Sequence, residues 1–317
     1  MSNRHSMTHL VKDYLAYRRG LGFKLEGDGR LLLRFAQYAD RSGHRGPLTT
    51  ELILRWVRLP AEASPSYLVA RLQAVRGFAR YRVIFDSGTE VPPPGLLVAR
   101  CRRPTPYIYT EEEIIALLAA ARRLPPQTSL RPHTYATFFG LLACTGLRVS
   151  EALNLTRSDI DWHQGLLTIR QTKFRKSRLV PLHPSATDML KGYAGLRDRF
   201  HPSSVAEAFF VTFRGTPLRL PTVEGVFGHL RKQLSWQPRG GRRPRVHDLR
   251  HTFACRRLIR WYEEGADLEH AIASLSTYLG HTLVTNTYWY LTAVPDLLGL
   301  ATVRFERFAS SSFGDET

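Results

Sequence analysis

The sequence predicts a mainly α-helical protein with a small antiparallel β-sheet, divided into two domains and a linker. Three observations carry this. The chain has 317 residues, which argues for about two domains at roughly 150 residues each. Apolar residues recur at helical spacing along most of it, and 43% hydrophobic residues, with 16 Phe and 13 Tyr, supply buried cores and exclude a disordered or collagen-like chain. Only two short runs, 166–170 and 178–182, read as strands, separated by a polar turn at 172–177.

Taken in order, a helical pattern covers 7–19 and stops at Gly20 and Gly22, since glycine suits the end of a helix. A second covers 30–41 and ends at Gly43, and a short third covers 49–58. The fourth opens on Ser64-Pro65, an N-cap followed by a first-turn proline. On it Leu68, Leu72, Val75 and Ala79 share one face, with Gln73, Arg76 and Arg80 beside it. Residues 1–90 therefore form a small helical bundle. Residues 91–106 contain Pro92-Pro93-Pro94 and Cys101-Arg102-Arg103-Pro104, basic and without periodicity, and read as a linker. A second domain, 107–300, opens with the capping box Thr110–Glu113 and the stripe Ile114, Leu117, Leu118 and Ala121. Further helices are expected at 132–145, 185–199, 221–234, 247–264 and 267–279, and residues 301–317 form a tail.

Charge narrows the function. Forty-five Lys+Arg against 27 Asp+Glu leave +18, the electrostatic footprint of a nucleic-acid binder. A merely solubilising basic surface is the alternative. Only six of the cations are lysine, and arginine forks onto phosphate oxygens. Arg102 and Arg103, and the stretch holding Arg242, Arg243 and Arg245, are candidate phosphate contacts, as are Arg76 and Arg80. Cys101, Cys144 and Cys255 are too few and too scattered for a disulfide framework or a cysteine zinc site. Apolar runs fall short of the ~20 residues that cross a bilayer, and the first residues lack a signal-type apolar stretch, so a cytoplasmic protein without membrane partners is expected.

Four separated clusters in the second domain carry groups suited to one reaction. They are Thr145-Gly146-Leu147-Arg148-Val149-Ser150-Glu151; the turn with Lys173 leading to Arg178-Leu179-Val180-Pro181; His247-Asp248-Leu249-Arg250-His251; and Leu279-Gly280-His281 with Tyr290 nine residues on. Attack on a phosphodiester needs a nucleophile, neutralisation of phosphoryl oxygens and a proton for the departing 5′ oxygen. A phenol can form a covalent phosphoryl intermediate, and adjacent arginines favour its ionised form. Arg148 and Arg250 suit permanent clamps because guanidinium keeps its proton, whereas Lys173 can release one as a general acid.

Together the clusters strongly resemble the tyrosine recombinase (phage integrase) family, whose pattern is T-G-x-R-x-x-E, a hairpin lysine, H-x-x-R-H, and L-G-H with a later tyrosine. The match spans about 107–300 and extends more weakly to the N-terminal bundle, which is similar to the family's DNA core-binding domain. The resemblance implies a site-specific recombinase, possessing the C-terminal catalytic domain of that family, that clamps double-stranded DNA between two domains and cuts one strand to a 3′-phosphotyrosine. It further implies exchange of strands in a homotetramer, with other recombinase subunits as candidate partners, at a bacterial nucleoid. In it Tyr290 is the nucleophile, His247 an acid/base, His281 a donor to the scissile phosphate, and Glu151 a brace, with His251 in support; no metal or cofactor is called for. The family register selects Lys173 over Lys176, and the nine-residue spacing selects Tyr290 over Tyr288, which lies about 200° around the helix and is expected to pack. His281 arrives about four residues later than in compact members, which one extra helical turn absorbs. The sequence around Tyr288–Leu291 resembles transposon-associated members, and in relatives an apolar tail such as 294–317 docks on a neighbouring protomer.

Three other readings remain at this level. A type IB-like topoisomerase would use the same chemistry without exchange. A non-catalytic DNA-binding helper would use only the charge. A zinc site would take His247-Asp248-x-x-His251 with His281, although aspartate there replaces the general-base glutamate of the H-E-x-x-H motif.

Overall fold

A computed structural model describes residues 6–98, 105–170, 177–202, 207–239, 241–280 and 283–293. The chain divides into two compact units, Met1–Arg103 and Pro104–Thr317.

The first unit holds four helices: α1 (Met7–Gly20), α2 (Glu26–Arg41), α3 (Thr50–Arg58) and α4 (Pro65–Arg82). Ser6, Thr49 and Ser64 cap α1, α3 and α4 through their hydroxyls, as small polar residues at N-caps do. Their inner faces bury Val11, Leu32, Phe35, Ile53, Trp56, Leu72, Val75 and Phe78 in one core. Helix α2 starts a turn before the pattern predicts. Two glycines occupy that turn and weaken its signal, but a Cβ on Gly29 would stand 3.4 Å from Leu15, so close approach of α1 explains the residue. Part of the predicted linker is seated on this unit: Val91 and Leu97 pack on the core, and just before them the Glu90 amide donates to the Leu48 carbonyl at 2.7 Å.

The second unit runs α5 (Glu111–Arg122), α6 (Arg131–Thr145), α7 (Val149–Leu153), β1 (Ile160–Asp161), β2 (Leu166–Ile169), β3 (Arg178–Pro181), α8 (Pro184–Phe200), α9 (Leu220–Gln233), α10 (Asp248–Glu263), α11 (Leu268–Leu279) and α12 (Thr285–Ala293). The strands form an antiparallel sheet in the order β1-β2-β3, with Leu167 opposite Val180 and Ile169 opposite Arg178. Leu167, Ile169 and Val180 face inward onto a core rich in aromatic residues, including Phe138, Phe139, Tyr193, Phe209 and Phe210. A smaller cluster joins α10, α11 and α12 through Cys255, Leu258, Ile272, Leu275, Leu279 and Tyr290. Two short elements beyond the predicted ones appear, α7 and β1, both too short for periodicity to register. Among the described residues no helix is long and apolar enough to cross a membrane.

Candidate active site

Two glycines set the turns on which the site is built. Helix α6 ends at Gly146, whose φ of +63° is left-handed, and the Phe253 ring occupies the space a Cβ would need, at 2.5 Å. The chain reverses there and starts α7 from Arg148. Glu151, in the first turn of α7, accepts from the Arg148 amide at 3.0 Å and from Arg148 Nη1 at 2.6 Å. Helix α11 likewise ends at Gly280, φ +67°, where a Cβ would stand 2.9 Å from Arg178 Nη1.

The end of α11 is where the predicted arginines meet. Arg148 Nη2 donates to the Gly280 carbonyl at 2.8 Å. Arg250, on α10 and 2% exposed, donates to the Leu279 carbonyl at 2.7 Å and to the Gly146 carbonyl at 2.8 Å. These carbonyls use two of its five N–H donors. Two clusters 104 residues apart and a third near the C-terminus are thereby tied together.

Arg178, at the head of β3, is in the sequence only the residue to which the hairpin turn leads, yet it is central here. Its guanidinium forks onto Glu151 at 3.0 and 2.8 Å, and its Nε donates to the Tyr278 carbonyl at 2.7 Å. The signal that points to it is chemical: a carboxylate buried among cations needs a bidentate partner, and Arg178 opens a strand at fixed distance from the hairpin lysine. Burial alone would raise the Glu151 carboxyl, but hydrogen bonds and charge from Arg178, then Arg148, overcome it and hold the group at about 2.

Residues Arg245 to Arg250 form the entry to α10. Arg245 clips Asp248 through its amide (2.8 Å), its Nε (3.3 Å) and its Nη2 (2.8 Å), with the Asp248 side chain 1% exposed. His247 follows at the helix start, open to solvent on one side and walled by protein on the others; desolvation, then the Arg250 charge, push its imidazole down to about 4. Burial, then the Arg148 charge, lowers Arg250 to about 10, so its guanidinium stays cationic at neutral pH.

Tyr290, on α12, is 2% exposed and its hydroxyl lies 3.0 Å from Nδ1 of His251. Tyr288 corrects an expectation: it is 45% exposed rather than packed, because α12 has one inward face and Tyr290 occupies it. Lys173, His281, Arg102 and Arg103 lie outside the described residues. Of the other candidate DNA contacts, Arg80 and Arg243 are exposed, Arg76 and Arg242 half-buried, and Arg245 is committed to its ion pair with Asp248. Among the described residues no group of three His, Cys, Asp or Glu is spaced to hold a metal ion, and Nδ1 of His251 is directed at Tyr290.

A cationic cluster of Arg148, Arg178 and Arg250, with one carboxylate as brace and a buried tyrosine on the neighbouring helix, on a helical unit with a three-stranded sheet, fits a tyrosine recombinase. The chain belongs to the phage integrase family, whose profile matches residues 108–295. It is 43% identical over 302 residues to y4rB of Sinorhizobium fredii, named an integrase/recombinase, covering 94% of this chain and 96% of that protein. A second protein of that organism, y4rE, also named an integrase/recombinase, is 35% identical over 294 residues, covering 93% of this chain and 94% of the relative. Among solved structures, the fold is similar to that of the Tn1549 transposon integrase in complex with transposon right end DNA. The TM-score is 0.66 at 16% identity, covering 96% of this chain and 100% of that one.

Proposed function

We propose that the chain is a site-specific recombinase that cuts and rejoins double-stranded DNA through a 3′-phosphotyrosine at Tyr290, in the movement or integration of a mobile element. The observation that carries this reading is the meeting of Arg148 and Arg250 at the end of α11, with the Tyr290 helix packed against the same elements. Three guanidinium groups against the single Glu151 carboxylate leave an excess positive charge, which suits a phosphodiester. Arg148 and Arg250 hold the non-bridging oxygens, with N–H donors beyond those the carbonyls take. Lys173 gives the 5′ oxygen its proton, His247 assists in proton transfer, and His281, one residue past Gly280, donates to the phosphate. Glu151 and Arg178 keep the clamps in register.

The bundle of residues 1–90 binds the DNA core, with Arg76 and Arg80 on α4 toward phosphate, and Arg242 and Arg243 add contacts from the second domain. Arg102 and Arg103 act likewise from the linker 91–106. The active assembly is a tetramer of this chain on DNA in the bacterial cytoplasm, and the tail 301–317 serves protomer contact. The likeness in fold to the Tn1549 transposon integrase supports the mobile-element reading.

The test mixes the full chain with sheared, nicked genomic DNA of the organism that encodes it, stops the reaction with detergent and isolates covalent protein–DNA complexes. Sequencing gives the site, and peptide mass spectrometry gives the modified residue. Tyr290→Phe is expected to abolish the complexes while DNA binding persists. Complexes that survive in that variant, or that map to another residue, would overturn the assignment.

A further inference from the structure

A phenol ordinarily titrates near ~10, so at neutral pH only about one molecule in a thousand is ionised. Nucleophilic attack therefore needs a group that takes the proton. The arginines of the site are full donors and accept nothing. Glu151 already accepts from Arg148 and Arg178. Nδ1 of His251, by contrast, lies 3.0 Å from the Tyr290 hydroxyl, with both side chains buried.

The ring of His251 is held on several sides. It sits one helical turn beyond His247 and one residue beyond Arg250 on α10. His247 meets it edge-on at 4.9 Å between centroids, Trp289 at 5.6 Å, and Tyr290 at 5.6 Å with the planes tilted by 59°. This wedge fixes the imidazole so that Nδ1 aims at the phenol, and a neutral imidazole nitrogen is a proton acceptor.

We propose that His251 is a catalytic residue: Nδ1 accepts the hydroxyl hydrogen of Tyr290 and takes the proton as the phenolic oxygen attacks phosphorus. The proposal rests on the reading of Tyr290 as nucleophile. In the forward step the bond from the tyrosine oxygen to phosphorus forms and the bond from phosphorus to the 5′ oxygen breaks. The phenolic proton moves to His251, and the 5′ oxygen receives one from the general acid assigned to Lys173. Rejoining reverses both transfers, His251 returning its proton to the departing phenolic oxygen. The ring carries its other proton on Nε2 at the start.

The experiment uses a nicked duplex of the sequence recovered from wild-type complexes and compares His251→Phe with His251→Asn. Phenylalanine keeps a flat ring and removes the acceptor. Asparagine places an amide oxygen near Nδ1, so it orients the phenol without taking a proton. Expected for His251→Phe is a loss of about 100-fold or more in single-turnover cleavage, an equal loss in rejoining, and unchanged DNA affinity. His251→Asn recovers part of this in both directions and stays at least ~10-fold below wild type. Wild-type rates in His251→Asn would overturn the proton transfer and leave only orientation; wild-type rates in His251→Phe would overturn both. If His251→Phe fails a thermal-unfolding check, the asparagine variant decides alone. A wild-type complex mapped to another tyrosine sinks the nucleophile reading instead, so the two failures are told apart.

Discussion

At Gly280 an added methyl group would meet two constraints of different kinds. The left-handed backbone, φ +67°, costs a non-glycine residue about 1–2 kcal/mol. The Cβ would also stand 2.9 Å from Arg178 Nη1, but that atom is the far end of a flexible side chain and swings away cheaply. Swinging away, however, takes the guanidinium off Glu151. Gly280→Ala should therefore cost only about 1–2 kcal/mol of stability in denaturant titrations while strand cleavage falls about tenfold or more. Gly146→Ala should behave otherwise. Its Cβ meets the Phe253 ring at 2.5 Å, and that ring stacks on Tyr278, so overpacking of about 1–3 kcal/mol adds to the backbone term. A double-mutant cycle separates the cases: with Arg178→Ala already present, Gly280→Ala should cost almost no further activity. Additive losses would show that the glycine acts apart from Arg178. Arg178 is hard to read from sequence because its partners lie 27 and 100 residues away, and only its place after the hairpin turn and the need of Glu151 for a bidentate partner point to it.

Elements were legible where a local signal spoke alone. The capping box Thr110–Glu113 closes as predicted, with Glu113 Oε2 accepting from the Thr110 amide at 2.9 Å and Thr110 Oγ1 from the Glu113 amide at 3.2 Å. Helices α1, α3 and α4 begin where their serine and threonine caps stand. Short pieces were not legible: α7 is five residues long and β1 two, below the length at which a period exists. In the site, the resemblance of the motifs to the family's pattern picks Arg148, Arg250 and Tyr290, and the structure brings them to the elements around the α11 terminus. Charge alone misleads at Arg245. It reads as part of a basic arm but is the clip that fixes the start of α10, with Asp248 buried beneath it. Asp248→Ala should thus destabilise the chain by about 2–3 kcal/mol, because the buried carboxylate that accepts from both the amide and the guanidinium of Arg245 is lost. Arg245→Ala, half exposed, should cost about 1 kcal/mol or less. The same geometry separates the arginines in DNA binding. The slope of log affinity against log salt should be unchanged by Arg245→Ala and shallower by about one in Arg243→Ala. Equal slopes for both variants would place Arg245 on phosphate after all.

Over the whole molecule, +18 charges make both stability and binding depend on what neutralises them. Glu151 is the carboxylate at the heart of that balance in the second unit. Its folded value, about 2, lies below the ordinary 4.5, and His247, at about 4, lies below 6.5. For both groups the unfolded chain takes up a proton before the folded one does. Their contribution to stability is therefore complete above about pH 6.5 and declines as the pH falls, first between 6.5 and 4 as His247 charges only in the unfolded chain. It declines again between 4.5 and 2 as Glu151 takes up a proton and becomes neutral only in the unfolded chain, a step on the order of 3 kcal/mol. Thermal unfolding of the full chain across this range should show both declines. Glu151→Gln should lower the midpoint at pH 7, since Arg148 and Arg178 lose their shared counter-charge, and should flatten the decline below pH 4.5. His247→Asn should flatten only the upper one. If His247 faces the DNA phosphate as proposed, bound DNA raises its folded value and should erase the upper decline in the wild-type chain. An unaltered acid slope in Glu151→Gln would mean that the arginines are balanced elsewhere, and Glu151 would lose its place as the brace on which the clamp geometry depends.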